Sequence, residues 1–180
     1  MNLYDLLNDP EKSPSYEEAH EKVPSLVWKK YGNNPEELHK RAHIFTKDAE
    51  MAYDYARLYL HKRFSEAEDV IMTNPHIAVM YAQHVIQGRW PEAEPILAQN
   101  AKAAYNYADR VIGGRFPEGE KAIANSPEYA YYYADEILHG PFPEAEKTVF
   151  NKKNPKPTSN PWYINRYRIL KRKYENGELD

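Results

Sequence analysis

A 26-residue period runs through the middle of the chain and limits its fold more than any other feature. The step relates tyrosines, aromatic residues and glutamates in three columns: Tyr55/Tyr81/Tyr107/Tyr133, Phe64/Trp90/Phe116/Phe142 and Glu68/Glu94/Glu120/Glu146. Units this short cannot each bury a core, so neighbouring units must cover one another. The period therefore predicts a tandem array.

Each unit is expected to form two short helices. Apolar residues of the second unit follow the spacing of one helix face, namely Ala78, Tyr81, Ala82, Val85 and Ile86. This first helix should begin after Asn74-Pro75 or Ser126-Pro127, where an N-cap residue precedes proline. It should end in a left-handed residue at Gly88, Gly114 or Gly140.

The second helix is expected to open at Pro91, Pro117 or Pro143, with two glutamates in its first turn. Its buried residues should be Trp90, Ala93, Ile96 and Leu97, or their equivalents. The sequence thus predicts an all-α fold of tandem helix-turn-helix repeats in an α-solenoid-like stack.

The four repeats should occupy residues 48–150, between two unlike ends. Residues 1–47 are predicted to form an irregular helical N-terminal cap. Residues 151–180 should form a proline-containing loop and a basic C-terminal capping helix. In that helix Trp162, Tyr163, Tyr167 and Leu170 are expected to close the last repeat.

The residues that carry most enzyme chemistry are missing from recognisable patterns. The chain has no cysteine, which excludes disulfides and zinc–thiolate sites. No P-loop, dinucleotide-binding glycine pattern or nucleophile elbow occurs. We therefore expect no catalytic residues, no cofactor and no enzyme activity.

No apolar run is long enough to span a membrane, so a soluble, cytoplasmic protein is expected.

The tyrosine column at 55, 81, 107 and 133 lies on the apolar face of the first helix, where each hydroxyl should find a repeat glutamate or a backbone carbonyl. The neighbouring column, at 53, 79, 105 and 131, lies one step off that face and should be partly exposed. Aromatic side chains are common in protein interfaces. Packing at the core edge is the competing interpretation. The predicted partner-binding residues are Tyr53, Val79, Met80, Tyr105, Tyr131 and Tyr132.

The repeated glutamates and the histidines do not indicate a catalytic or metal site. The two glutamates of each unit are two residues apart and point in different directions on a helix. We expect them to serve the helix dipole and to pair with Arg63, Arg89 or Arg115. His39 and His43 have a spacing that suits zinc, but no third ligand is well placed, so no metal is predicted.

Charge is distributed unevenly. Residues from Asn151 carry a net charge of +5, against −8 for residues 1–150. This polarity leaves open head-to-tail self-association, in a homo-oligomer or a virion-associated structural protein, or a solvated tail. It also leaves open nucleic-acid or nucleotide binding through the residues Arg166, Arg168, Lys171, Arg172 and Lys173.

The sequence Gly-Arg-(Trp/Phe)-Pro-Glu-(Ala/Gly)-Glu at 88–94 and 114–120 follows Tyr-Ala-x-x-x-Ile. This combination resembles short tandem helical repeats in proteins encoded by tailed bacteriophages. The resemblance covers about residues 50–150; Pro141 replaces the arginine in the last unit, and the first unit lacks both glycine and proline. It implies a phage origin and a helical-repeat fold, without catalytic residues. Our leading prediction is a phage accessory protein that docks on a host or defence protein in the bacterial cytoplasm.

Overall fold

The computed structural model describes residues 34, 36, 40, 42–148, 150 and 160–178. These residues form helices and the turns between them, with no strand in the described ranges. They belong to two compact units that divide between Ile77 and Ala78. The all-α prediction is confirmed for this part of the chain. Most of the predicted N-terminal cap, the loop at 151–159 and His39 lie outside the described residues.

Between Ala42 and Asn74, the first unit contains two α-helices and two 3₁₀ segments. They are a 3₁₀ helix at Ala42–Lys47, α1 at Ala49–Tyr55 with a π-helical turn at Ala56–Leu60, a 3₁₀ turn at Ser65–Ala67, and α2 at Glu68–Met72. Helix α1 begins at Asp48, whose Oδ1 accepts the N–H groups of Glu50 and Met51 at 3.0 Å. Tyr55 packs in the core between Phe45 and Phe64, with ring centroids 4.4 and 5.2 Å away.

Helix α3, at Pro75–Tyr81, contains the division between the units. The second unit continues with a π turn at Ala82–Ile86, α4 at Glu94–Leu97, α5 at Ala101–Tyr107 with a π turn at Ala108–Ile112, α6 at Pro117–Ile123, α7 at Pro127–Tyr132 with a π turn at Tyr133–Ile137, α8 at Pro143–Lys147, and α9 at Pro161–Glu175. Its core is aromatic and is filled by Tyr81, Trp90, Tyr107, Phe116, Tyr133 and Phe142.

The π turns change where the first helix of each repeat ends. The left-handed residues are His61, Gln87, Gly113 and His139, with φ of 51°, 59°, 65° and 47°. The prediction of a left-handed cap at Gly88, Gly114 and Gly140 is therefore wrong by one residue. The chain reverses before these glycines because the π turn closes wider hydrogen-bonded rings. The Gly88 N–H then donates to the Ala82 carbonyl at 3.2 Å.

The same turns move the predicted apolar stripe partly off the core. Ala78, Tyr81 and Ala82 are fully buried, whereas Val85 and Ile86 are only half-buried. Hydrogen bonds from i to i+5 rotate each residue through a smaller angle than in an α-helix, so the last stripe positions drift toward solvent.

Several predicted helix starts differ from the structure. Helices α6 and α8 begin at proline as expected, but Pro91 lies in a turn and α4 begins at Glu94. Pro95 has no N–H to donate to the Pro91 carbonyl, so the earlier turn cannot form. Ile96 is 38% exposed, against the prediction, and the Ser126 side chain forms no cap hydrogen bond, whereas Asn74 does.

Candidate interaction surface

Three buried tyrosines of the second unit each join a backbone N–H to a glutamate that is paired with a cation. Tyr107 Oη accepts the Trp90 N–H at 2.6 Å and donates to Glu94 at 2.9 Å. Glu94 also accepts two hydrogen bonds from Arg89, at 2.7 and 2.8 Å. We call this arrangement of tyrosine, backbone N–H, glutamate and cation the tyrosine clasp. It connects α5 to the turn and helix before it.

The tyrosine clasp recurs twice further along the unit. Tyr133 accepts the Phe116 N–H and donates to Glu120, both at 2.9 Å, and Arg115 holds that glutamate at 2.9 and 3.0 Å.

In the last clasp Tyr167 of α9 accepts the Phe142 N–H at 2.8 Å and donates to Glu146 at 2.7 Å. Pro141 stands where the other clasps have arginine. Lys171 of α9 replaces the missing cation, with Nζ 2.7 Å from Glu146. Of the predicted tyrosine column, Tyr107 and Tyr133 donate to repeat glutamates as expected. Each of these hydroxyls also accepts a backbone N–H.

In the first clasp, the pKa values of the tyrosine and the glutamate are both shifted. Burial raises the pKa of Tyr107 to about 12, and Glu94 also favours its neutral form. Hydrogen bonds from Arg89 hold the pKa of Glu94 below its ordinary value, in spite of partial burial. The predicted glutamate–arginine pairing is thus confirmed at Arg63, Arg89 and Arg115. These carboxylates are already engaged by cations and hydroxyls.

A second group of aromatic side chains faces solvent in the second unit. We call it the aromatic surface, and it consists of Tyr105, Tyr129, Tyr131, Tyr132, Trp162 and Tyr163. Their rings form a continuous chain of contacts across α5, α7 and α9. The centroid distances are 5.8 Å for Tyr105–Tyr129, 6.0 Å for Tyr105–Tyr132, 5.4 Å for Tyr131–Tyr132, 5.9 Å for both Tyr131–Trp162 and Tyr132–Tyr163, and 4.9 Å for Trp162–Tyr163.

Helix geometry explains why these aromatic side chains are not in the core. Successive helical residues turn through about 100°, so Tyr131 and Tyr132 point away from the face that buries Tyr133. Tyr133 is fully buried, while its two neighbours are half-buried and Trp162 is 49% exposed. Adjoining aromatic side chains rimmed by polar groups are common in binding sites.

Carboxylates lie along the aromatic surface. The hydroxyl of Tyr105 donates to Glu136, and that of Tyr131 donates to Asp135 at 3.1 Å. A hydrogen bond with Tyr132 raises the pKa of Tyr163 to about 12, and a hydrogen bond with Glu128 contributes to this shift. The guanidinium of Arg166 lies 5.2 Å from the centre of the Trp162 ring.

The structure brings together half of the predicted partner-binding residues. Tyr105, Tyr131 and Tyr132 belong to the aromatic surface, whereas Met80 is half-buried and makes none of its ring contacts. Tyr53 and Val79 are each only 2% exposed, so the expectation of exposure was wrong there. The 3₁₀ helix at Ala42–Lys47 packs on α1, the helix that carries Tyr53. On α3, Val79 is buried together with its neighbours Ile77 and Ala78.

Sequence reasoning missed Tyr129, Trp162 and Tyr163 as surface residues. Tyr167 and Leu170 close the core as predicted, but the exposure of Trp162 contradicts its assignment to that role. The sequence signal that could have identified Trp162 and Tyr163 is the alignment of Pro161 with Pro127. This alignment places them one and two residues after a helix start. That alignment was hidden because the spacing from Tyr133 to Tyr167 is 34 residues, not 26.

The predicted basic residues of α9 separate into two groups. Arg166, Arg168, Arg172 and Lys173 are exposed. Lys171 is half-buried and pairs with Glu146 and Glu175, so it belongs to the last tyrosine clasp instead of a free basic surface.

Among the described residues, no three histidine or acidic side chains are grouped so that they could hold a metal ion. None of the described helices combines the length and apolar character needed to cross a membrane. Comparison with family models, with curated proteins and with solved structures finds no match to this chain.

Proposed function

We propose that the protein is a non-catalytic binding module whose aromatic surface docks on another protein. The observation that carries the proposal is the continuous contact of six solvent-facing aromatic rings supplied by three helices. Tyrosine and tryptophan give large contact areas at low entropic cost and dominate the energetics of many interfaces.

The tyrosine clasps support an extension of this proposal to the architecture. Each of the first two clasps joins one short helix to the turn before it through a buried hydroxyl, and their tyrosine, arginine and glutamate recur at a spacing of 26 residues. We infer a solenoid-like stack of repeats, which would hold the aromatic surface on a rigid support.

The origin and the partner are proposed from the repeat motif. The Gly-Arg-(Trp/Phe)-Pro-Glu pattern resembles helical repeats of tailed-phage proteins and favours a phage accessory protein. Its partner would then be a host or defence protein in the bacterial cytoplasm.

Affinity capture from host lysate tests the docking function. A stoichiometric partner should be recovered by the full-length protein, and its recovery should fall at least tenfold with Trp162→Ala/Tyr132→Ala. Ile96→Ala removes an exposed apolar side chain outside the aromatic surface and is the control. Equal recovery by all three proteins would refute docking through this surface.

A second candidate function is nucleic-acid binding through α9. The observation that favours it is that Arg168, Arg172 and Lys173 are exposed and form no ion pair with a described residue. Affinity for single-stranded DNA should then fall steeply with salt, with a shallower slope after Arg168→Gln/Arg172→Gln. An affinity that is unaffected by the substitutions would exclude this function for α9.

A further inference from the structure

We propose that the aromatic surface recognises a segment of the partner protein that is rich in lysine and arginine. This inference rests on the proposed docking function and specifies the chemistry of the partner. It follows from two observations, which are the charge that borders the aromatic rings and the way one guanidinium already packs on them.

Among the described residues, acidic groups outnumber basic groups around the rings. Glu128 lies in the first turn of α7, and Asp135 and Glu136 lie in the π turn that follows. Asp109, in the π turn after α5, also acts on Tyr105. Two guanidiniums act electrostatically on the same tyrosines, Arg110 on Tyr105 and Arg166 on Tyr131. In the part of the chain that the structure describes, four carboxylates against two guanidiniums leave an excess of two negative charges.

The carboxylates also disfavour the binding of negatively charged ligands. Nucleic acid presents phosphates, which the excess negative charge would repel, so we assign a cationic peptide to this surface instead. Glu136 is exposed and Asp135 half-exposed, so both stay accessible to a lysine or arginine side chain while they accept tyrosine hydroxyls.

Arg166 shows how a cation fits the aromatic surface. Its guanidinium lies 5.2 Å from the centroid of Trp162, within the range of a cation–π contact. The protein uses the same contact in its first unit, where Arg57 lies 5.7 Å from the ring centre of Tyr53. The remaining rings of the surface carry no such cation among the described residues. We expect arginine and lysine side chains of a partner to pack on these rings as well.

Fluorescence anisotropy of a labelled hexa-arginine peptide with the full-length protein tests this inference. A hexa-citrulline peptide of the same shape without charge is the reference ligand. We expect binding of hexa-arginine that weakens with salt, and at least tenfold weaker binding of hexa-citrulline. Equal binding of the two peptides would overturn the inference.

Three variants locate the binding on the aromatic surface. Glu128→Gln/Glu136→Gln should weaken hexa-arginine binding about three- to tenfold, while the exposed pair Glu118→Gln/Glu144→Gln should leave it unchanged. Trp162→Ala should weaken hexa-arginine binding about threefold, against no change for Ile169→Ala on the same helix.

Arg166→Gln should strengthen hexa-arginine binding, because the substitution removes a competing cation from Trp162. Weakening by Arg166→Gln, or equal effects of the two glutamine pairs, would contradict the assignment.

The outcome separates this inference from the proposed function. If Trp162→Ala/Tyr132→Ala abolishes capture of the partner but Glu128→Gln/Glu136→Gln does not, docking stands and a basic partner segment is excluded. If neither variant changes capture, the docking function itself fails. Concentration-dependent dimerisation that requires Trp162 and resists hexa-arginine would show a second copy as the occupant and overturn the inference.

Discussion

Tyrosine has two separate uses in this protein, and the run Tyr131-Tyr132-Tyr133 contains both. Tyr133 is fully buried, with its hydroxyl between a backbone N–H and Glu120. Its two neighbours face solvent and contact Trp162 and Tyr163. The difference lies only in which side of the helix each residue occupies.

Tyr107→Phe is expected to lower the free energy of unfolding by about 1–3 kcal/mol, because it leaves the buried Trp90 N–H without its acceptor. Urea denaturation followed by circular dichroism measures the change. Tyr129→Phe is the matched control, since the Tyr129 hydroxyl makes no hydrogen bond with a described residue, and it should cost less than about 0.5 kcal/mol. Equal losses in the two variants would show that the clasp does not stabilise the fold.

Adjacent glycines permit an equally local test of the left-handed turn. Gly113 has a φ of +65°, whereas Gly114 lies outside the left-handed region, and a Cβ at either would meet nothing within 4 Å. Gly113→Ala should therefore cost about 1–2 kcal/mol, from backbone strain alone. Gly114→Ala should cost almost nothing or stabilise slightly. The reverse order, measured by thermal or urea unfolding, would contradict the described turn.

At the scale of helices, α9 supplies the tyrosine and the cation of the last clasp. Tyr167 and Ile164 take the places of Tyr133 and Ala130, counted from the proline at the start of each helix. Lys171 supplies the cation that Pro141 removed from the last clasp. The last clasp therefore keeps its tyrosine, backbone N–H and glutamate, while lysine takes the place of arginine.

A double-mutant cycle tests this substitution of one cation by another. Lys171→Met should cost about 0.5–1.5 kcal/mol, because it removes the ion pair with Glu146. Pro141→Arg places arginine at the position that it has in the other clasps of the second unit. In that background Lys171→Met should cost measurably less. Additive effects would show that the two positions do not serve the same carboxylate.

The sequence predicted the helical class, the buried tyrosine column and the glutamate–arginine pairs because these depend on periodicity and local spacing. It did not predict the π turns, because hydrophobic spacing alone does not distinguish i→i+5 bonding from an α-helix. The error at Gly88 and the half-exposure of Val85 both follow from that omission. The aromatic surface was predicted only in part, since Trp162 joins it through tertiary contacts between α7 and α9 that no repeat column contains.

At the scale of the whole molecule, the clasps of Glu94 and Glu146 link stability to pH. Arg89 lowers the pKa of Glu94 below its ordinary value of 4.5. Burial opposes the same shift at Glu146, but Lys171 and Tyr167 outweigh it and the pKa is also lowered. Carboxylates with lowered folded pKa values stabilise the protein fully above about pH 4.5 and lose this contribution as the pH falls through the folded pKa.

The free energy of unfolding should therefore stay level from neutral pH to about pH 5 and then fall. Glu94→Gln/Glu146→Gln should be less stable at pH 7 and should show a shallower fall on acidification. Glu92→Gln/Glu144→Gln, which changes exposed glutamates, should follow the unsubstituted protein. A fall of unchanged steepness in the first variant would mean that other groups cause the acid sensitivity.

Site-specific photo-crosslinking tests the central claim, docking through the aromatic surface, most directly. The photoreactive amino acid p-benzoylphenylalanine is placed at Tyr132 in one protein and at Leu58, an exposed residue of the first unit, in another. Irradiation in host lysate should give a discrete crosslinked band from position 132 and none from position 58. A band from position 58 alone, or no band from either, would contradict the account.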